Sequence, residues 1–324
     1  MKIFTWHIHG SYLYFLSQGD YEIYIPVTKS RKEEGYYGRG ETFPFGKNVI
    51  EIPVEDVKHK TDFDCILFQT NRNYLVDQYH ILSDEQRALP RVYLEHDPPR
   101  EDPTIAQHIM LDPNIAFVHV TYFNQLMWDN GPVPTTVIEH GVIQPPVTYT
   151  GELEKGIVVI NNLPSRGRLL GLDIFMEVRK HIPLDLVGLG AEELGIGEVL
   201  HPELPQFVSK YRFFFNPIRW TSLGLAICEA MMLGVPVVGL ATTELSSVIQ
   251  NGRSGFIHTD VNYLIRKMKL LLEDKTLATQ LGSESKRLAM ERFSIERFTR
   301  EWKELFTRVV NKQTQEKRSA LIFN

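Results

Sequence analysis

Asn216–Gly239 reads NPIRWTSLGLAICEAMMLGVPVVG. A strand end, a tight polar turn, an amphipathic helix, a Gly-Val-Pro corner and a buried strand follow one another here. Thr221 and Ser222 are expected to cap the helix, because their hydroxyls can accept from the first backbone N–H groups, which lack partners inside it. Glu229 comes eight residues after Thr221, a little over two helical turns on. A helix start of this kind offers amides and partial positive charge, which suit a phosphate or diphosphate. A carboxylate further along the same element suits the hydroxyls of a ribose. The plainer reading is a generic helix–strand unit of an α/β protein.

The same segment resembles the donor-site signature of retaining GT-B glycosyltransferases, family four (glycosyl transferases group 1). That family usually reads Pro-Ser-x-x-Glu-Gly-Phe-Gly-Leu, four further residues, then Glu-Ala-Met-Ala-x-Gly-x-Pro-Val-Val. Pro217, Gly224, Leu225, Glu229, Ala230, Met231, Gly234, Pro236, Val237 and Val238 match in register. Thr221 and Ser222 stand where the family has its first Glu and the following Gly. The resemblance implies that a diphosphate rests on Thr221, Ser222, Leu223, Gly224 and Leu225, and that Glu229 holds the ribose. Thr221 is shorter than Glu and uncharged, so either the donor-sugar preference differs or Ser222 and backbone amides compensate.

Composition sets the outer bounds. The chain has 324 residues, 43% hydrophobic and 23% charged, enough for two domains of a soluble globular protein. Its net charge of −5 excludes a protein built to coat nucleic acid. Residues 1–150 carry 12 Lys and Arg against 20 Asp and Glu, and the remainder 23 against 20. The more basic second half is consistent with a nucleotide site there. Cys65 and Cys228 both sit in apolar runs and read as buried, reduced thiols of a cytoplasmic protein. No stretch of eighteen apolar residues suggests a spanning helix. The N-terminus reads as a strand and turn, not a signal peptide. The expected setting is the cytoplasm, with peripheral attachment to a membrane left open.

Strands are expected at Lys2–Ile8, Tyr21–Pro26, Cys65–Gln69, Arg91–Glu95, Ala116–Val120 and Thr136–Glu139, with helices starting near Ser11, Asn71 and Phe123. Lys29–Phe45 reads as a long polar loop, functional or mobile. Pro145, Pro146 and Thr148–Lys155 read as a linker. A second series follows: strands Gly156–Ile160, Leu184–Val187, Tyr211–Asn216 and Gly255–His258, and helices Leu169–His181, Val261–Glu273, Lys275–Arg292 and Phe298–Val310. The polar run Asn311–Lys317 is expected to fray. Alternation of this kind implies parallel sheets in two doubly wound, Rossmann-like domains. The resemblance implies the GT-B arrangement, an α/β fold with the two domains facing across a cleft. Residues 1–148 would form the acceptor-side domain and 149–298 the nucleotide-sugar donor domain. Residues 299–324 would form a helix crossing back to the first domain, followed by a polar tail.

Other candidates are read beside these. Arg166 and Arg168 follow the first strand of the second series, and guanidinium forks suit phosphate oxygens. The family places an Arg and a Lys in this loop, the Lys just before a Gly-Leu-Asp; here Leu170 precedes Gly171-Leu172-Asp173. Gly188 and Gly190 resemble the family's turn near the nucleotide base. His96, in Tyr93-Leu94-Glu95-His96-Asp97-Pro98-Pro99, resembles the histidine that faces the donor sugar; the alternative is a packed histidine beside a Pro-rich turn. Asp97 would orient the acceptor hydroxyl or cap the turn. Gly10 and Ser11 resemble the glycine-bearing loop that approaches the diphosphate, and an ordinary strand-to-helix turn reads equally well. His7 and His9 alternate and would point to one side, but no third ligand accompanies them. Asp62-Phe63-Asp64 precedes a strand and reads as a strand-entry turn. No metal and no cofactor are expected.

By resemblance, then, the chain is expected to be a retaining glycosyltransferase, hexosyltransferase-like and metal-independent. It would take a nucleotide-diphosphate sugar such as a UDP- or GDP-sugar as donor, and a glycan, lipid-linked or small-molecule acceptor. The reading from another class is a non-catalytic GT-B-like protein that binds nucleotide sugar or glycan.

Overall fold

The structure, a computed structural model, describes residues 1–322. The chain forms two compact units. Unit 1 takes Met1–Gly141 together with the C-terminal segment from Ile295, and unit 2 takes Val142–Ser294.

Unit 1 is built on seven parallel strands. They are β1 (Lys2–Thr5), β2 (Glu22–Val27), β3 (Val49–Pro53), β4 (Cys65–Phe68), β5 (Arg91–Glu95), β6 (Ala116–His119) and β7 (Thr135–Val137). Their spatial order is β3-β2-β1-β4-β5-β6-β7. The chain therefore winds outward from β1 through β3, returns to the other side of β1 at β4, and winds outward again. Ile3, Phe4, Ile66, Leu67, Val92 and Leu94 are fully buried, as expected of central strands with both faces covered. Strand β3 is absent from the sequence reading. Its polar flanks and single apolar alternation, Val49-Ile50-Glu51-Ile52, gave little signal, and pairing with β2 in register Ile23↔Val49 defines it.

Unit 2 carries five parallel strands: β8 (Leu153–Val159), β9 (Leu184–Val187), β10 (Tyr211–Asn216), β11 (Val237–Leu240) and β12 (Gly255–His258), ordered β12-β11-β10-β8-β9. Its core is formed by Phe213 and Phe215 of β10 with Val158, Phe175, Leu186, Val238 and Leu264. Arg212 lies buried in the same strand. Its guanidinium donates to the carbonyls of Gly151 (2.8 Å), Leu271 (3.1 Å) and Leu272 (2.7 Å), the last two closing the end of helix Val261–Glu273.

Several expectations need correction. Strand β8 starts at Leu153, inside the expected linker, and Tyr149 Oη donates to Arg212 O at 2.7 Å, so those residues are tied into unit 2. The unit boundary accordingly falls at Gly141/Val142. Strand β1 stops at Thr5, so the alternation argument fails for His7 and His9: His7 is buried and its Nδ1 donates to Gly38 O (2.6 Å), and His9 is exposed. The polar loop at 29–45 is anchored at points, since Arg31 grips Glu51 with two hydrogen bonds and Tyr36 and Phe45 are buried, while residues 29–34 and 40–42 are exposed. The helix near Asn71 is a π-helical turn, Asn73–Asp77, running into Gln78–Ile81.

The residues expected to fray are helical. The last helix runs from Ile295 to Ile322, and it belongs to unit 1. Phe298, Trp302 and Phe306 on it are fully buried, Trp302 Nε1 donates to Tyr12 Oη at 3.1 Å, and Arg297 donates to the carbonyls of Glu139 and His140. Phe323 and Asn324, the end of the expected tail, lie outside the described residues. Among the described residues no helix is long and apolar enough to cross a membrane.

Candidate functional site

The expected residues fall into two groups, one in each unit. In unit 2 the strand order reverses between β8 and β10, and open parallel sheets receive ligands at such points, beyond the carboxyl ends of their strands. Past β8 the chain turns through Asn162, in the left-handed conformation, into a short helix Leu163–Arg166 and a 3-10 turn Gly167–Leu170. Past β10 it turns at Pro217. The two loops are bonded together: the Arg219 and Trp220 amides donate to Leu169 O at 3.2 and 3.3 Å. Gly171 makes this possible. Its φ is 81°, and a Cβ there would lie 2.0 Å from Pro217 O.

The cap was misread. The helix spans Leu225–Leu233 and its N-cap is Gly224, extended at φ −70° and ψ 136°, with no side-chain cap. Thr221 and Ser222 lie in the preceding turn. The physical reason is Leu223, only 4% exposed: the chain first carries this side chain into the core, and only then turns into the helix. Gly224 and Leu225 are partly exposed, so the helix start is open. Glu229 is consequently four residues beyond the first helical residue, closer to the start than expected. Its Oε1 accepts from His201 Nε2 at 2.7 Å.

Cations surround the same edge. Arg166 is exposed at the end of its short helix. Arg168 pairs with Asp173 at 2.7 Å, and Arg219 holds both oxygens of Asp173 at 2.5 and 2.7 Å while donating to Arg168 O at 2.8 Å. The Arg219 hydrogen bonds, with Arg168 alongside, keep the Asp173 carboxyl below its ordinary value. Three guanidinium groups against one carboxylate leave this loop pair positive. Sequence reasoning missed Arg219 and His201. Arg219 was legible in principle, as a cation in the turn just past β10; His201, in a loop without periodic pattern, was not.

Gly188 and Gly190 close the third loop, past β9. A Cβ at Gly188 would lie 2.4 Å from Ile160 O, and the Leu189 amide donates to Asn161 Oδ1 at 2.9 Å. Arg166, Arg168, Gly188, Gly190, residues 221–225 and Glu229 thus share unit 2, and their loops all leave the carboxyl ends of its strands.

In unit 1, His96 follows β5 and faces His9, ring centroids 4.2 Å apart. Gln69 Nε2 donates to Thr5 Oγ1 and Trp6 O, so its Oε1 is an acceptor, and His96 Nε2 must donate to it at 3.1 Å. Nδ1 is left as the acceptor of the ring. Lost hydration, with the nearby His9 and His140 imidazoles, holds the His96 pKa well below the ordinary histidine value, so the ring is neutral at pH 7. Asp97 pairs with Arg100 at 2.8 Å. Gly10 and Ser11 sit in the first turn of helix Gly10–Leu16, not in a loop. The room left by the missing Cβ of Gly10 is filled by Phe43, whose Cε2 would stand 2.4 Å from it.

A cavity of about 630 Å³ opens beside His96. Trp128 contributes aromatic surface, and Glu34, Glu95, Asp97 and Glu101 contribute carboxylates. Asp62 and Asp64 form a strand-entry turn held by Lys2 and Lys60. Among the described residues no three His, Cys, Asp or Glu side chains are grouped to hold a metal ion.

Residues 157–274 match the family model described as Glycosyl transferases group 1. Over 72 residues the chain is 40% identical to a trehalose synthase of Thermococcus litoralis, a stretch covering 22% of this chain and 18% of that protein. Over 135 residues it is 27% identical to the sulfoquinovosyl transferase SQD2 of Arabidopsis thaliana, covering 40% and 25%. The chain thus spans about a fifth of the length of the first curated relatives it matches. Among solved structures it is similar to a sucrose-phosphate synthase from Thermosynechococcus elongatus, with a TM-score of 0.72 at 14% identity over 96% of this chain and 99% of that one. It is also similar to HepE from Anabaena in complex with UDP and glucose, with a TM-score of 0.67 at 14% identity over 94% and 99%. These likenesses show the fold: two parallel-sheet α/β domains of the GT-B kind.

Proposed function

We propose that this chain is a glycosyltransferase that moves a sugar from a nucleotide-diphosphate sugar to an acceptor hydroxyl and retains the anomeric configuration. The observation that carries the reading is in unit 2: the open start of helix Leu225–Leu233, bonded loops bearing Arg166, Arg168 and Arg219, and Glu229 one turn into the helix. In this reading the bond between the anomeric carbon and the phosphate oxygen breaks, a bond to the acceptor oxygen forms, and the acceptor proton passes to a base as the nucleoside diphosphate leaves. Negative charge builds on the departing diphosphate. Fixed amides and guanidinium groups aimed at it lower the barrier without reorganising. Glu229 takes the ribose hydroxyls, and the turn Gly188–Gly190 takes the base.

UDP-sugars are the first donors to try, because the HepE structure similar to this chain holds UDP. Titration calorimetry with UDP, GDP and their sugars should give binding that Glu229→Ala abolishes or weakens. Transfer with a defined donor, and the anomer of the product read by NMR, tests the reaction and its stereochemistry. Nucleotide binding unaffected by Glu229→Ala would remove the donor-site assignment, and an inverted product would remove retention.

A further inference from the structure

The cavity beside His96 has a charge that decides what enters it. Its walls carry Glu34, Glu95, Asp97 and Glu101 against Arg72 and Arg100. Both guanidinium groups are already committed: Arg100 to Asp97 at 2.8 Å, and Arg72 to Glu33 and Asp77.

Glu95, deepest of the four, is not neutralised by its partners. The Met110 amide donates to His108 Nδ1 at 3.0 Å, so that nitrogen carries a lone pair and no proton. His108 is therefore the neutral tautomer, donating Nε2–H to Glu95 Oε2 at 2.8 Å. The other oxygen accepts from the Asp97 amide at 2.8 Å. Two neutral donors satisfy the hydrogen bonding of Glu95 and leave its charge in place. His96, whose Nε2 donates to Gln69, adds no positive charge either, since lost hydration holds it below the ordinary histidine value. Beside these groups stand Asn71, whose Oδ1 is held by Tyr93 Oη at 2.8 Å, and Trp128, whose Nε1 donates to Asp97 O at 2.9 Å.

We infer that this cavity binds a polyhydroxylated acceptor that bears no phosphate or carboxylate, a neutral or amine-bearing sugar, and rejects anionic sugars. Carboxylate and amide oxygens accept from hydroxyl and ammonium groups, and aromatic rings cover the apolar face of a sugar. A phosphate would meet uncompensated negative charge in a partly desolvated wall, where repulsion is weakly screened. The inference rests on the glycosyltransferase reading only in naming the bound sugar an acceptor.

Saturation-transfer NMR on the full chain, without nucleotide and at low ionic strength, reads it directly. Probes are the methyl glycosides of glucose, mannose and galactose, the corresponding amino sugars, and the 6-phosphates. Neutral or amino sugars should bind, and each phosphate should bind at least about tenfold more weakly than its parent. The double variant Glu34→Lys/Glu101→Lys, both residues being exposed, should fold normally by circular dichroism and cut that discrimination to about threefold or less. A phosphate that binds as well as its parent overturns the inference. So does a ratio unchanged in the double variant, or the absence of binding by every sugar. Because no nucleotide is present, the donor reading fails separately, through UDP binding that ignores Glu229.

Discussion

One oxygen of Glu229 accepts from His201 at 2.7 Å, and in the proposed reading the other receives the ribose diol. Charge-assisted hydrogen bonds of this kind each contribute about 1.5–3 kcal/mol. Glu229→Ala should therefore raise the dissociation constant for UDP by about ten- to a hundredfold. His201 acts through Glu229, as a positioning residue, so His201→Phe should weaken UDP about three- to tenfold, and His201→Gln should restore part of the loss. Calorimetric titrations in which all three variants match the parent would refute the pairing argument. At this scale the sequence placed Glu229 on its helix, since its spacing from Gly224 and Pro236 is carried by a helix and a corner. It could not show His201, because contact across the loop at 195–203 depends on how helix Leu204–Val208 packs. Nor could it show that the space beside Gly10 belongs to Phe43.

Whole elements place the charge. The loops past β8 and β10 act as one part because Gly171 brings the first against the Pro217 carbonyl. Gly171→Ala would add both an unfavourable φ and a backbone collision, and a loss of about 3 kcal/mol or more of stability is expected in denaturant unfolding. Near-parental stability would show that the two loops can separate. Arg166→Ala with Arg168→Ala should depress kcat about a hundredfold while leaving circular dichroism unchanged, because the amides that remain still bind ground-state phosphate. Arginine supplies the counter-charge in this reading, so turnover should also survive EDTA; activity lost to chelation and restored by a divalent ion would reassign that role. Element bounds were legible for β5, β9, β10, β12 and the helices Val261–Glu273 and Lys275–Arg292, which fall where expected. Where they failed, tertiary packing overrode local preference. Leu223 delayed a helix that Thr221 and Ser222 could have capped, and Leu153–Lys155 joined a strand despite their polar character.

For the molecule as a whole, buried histidines tie stability to pH. His119 is fully buried, and burial pushes its pKa down to about 4. Asn130 spends both N–H groups on the carbonyls of Gln125 and Trp128, so its oxygen accepts from a neutral His119. In the unfolded chain the same imidazole takes up a proton near pH 6.5. Between that pH and about 4 the unfolded state binds more protons, so unit 1 loses stability as pH falls through the window. His7 and His96, also lowered by lost hydration, act in the same direction. Unfolding free energies from denaturant titrations down this range should fall by up to about 1.4 kcal/mol per pH unit for His119 alone. His119→Gln, which keeps a donor for Asn130, should flatten that slope; an unchanged slope would clear His119 of the effect.

Unit 1 is split by the whole of unit 2, and its core waits for Trp302 and Phe306 to meet Tyr12 and Tyr21. A ribosome delivers those residues only after the whole of unit 2. Unit 2 can therefore mature while unit 1 still lacks the partners of Tyr12 and Tyr21, a stage at which chaperones would find it. Arrested nascent chains ending just after Ser294 should resist protease over 142–294 and be cut freely before Gly141.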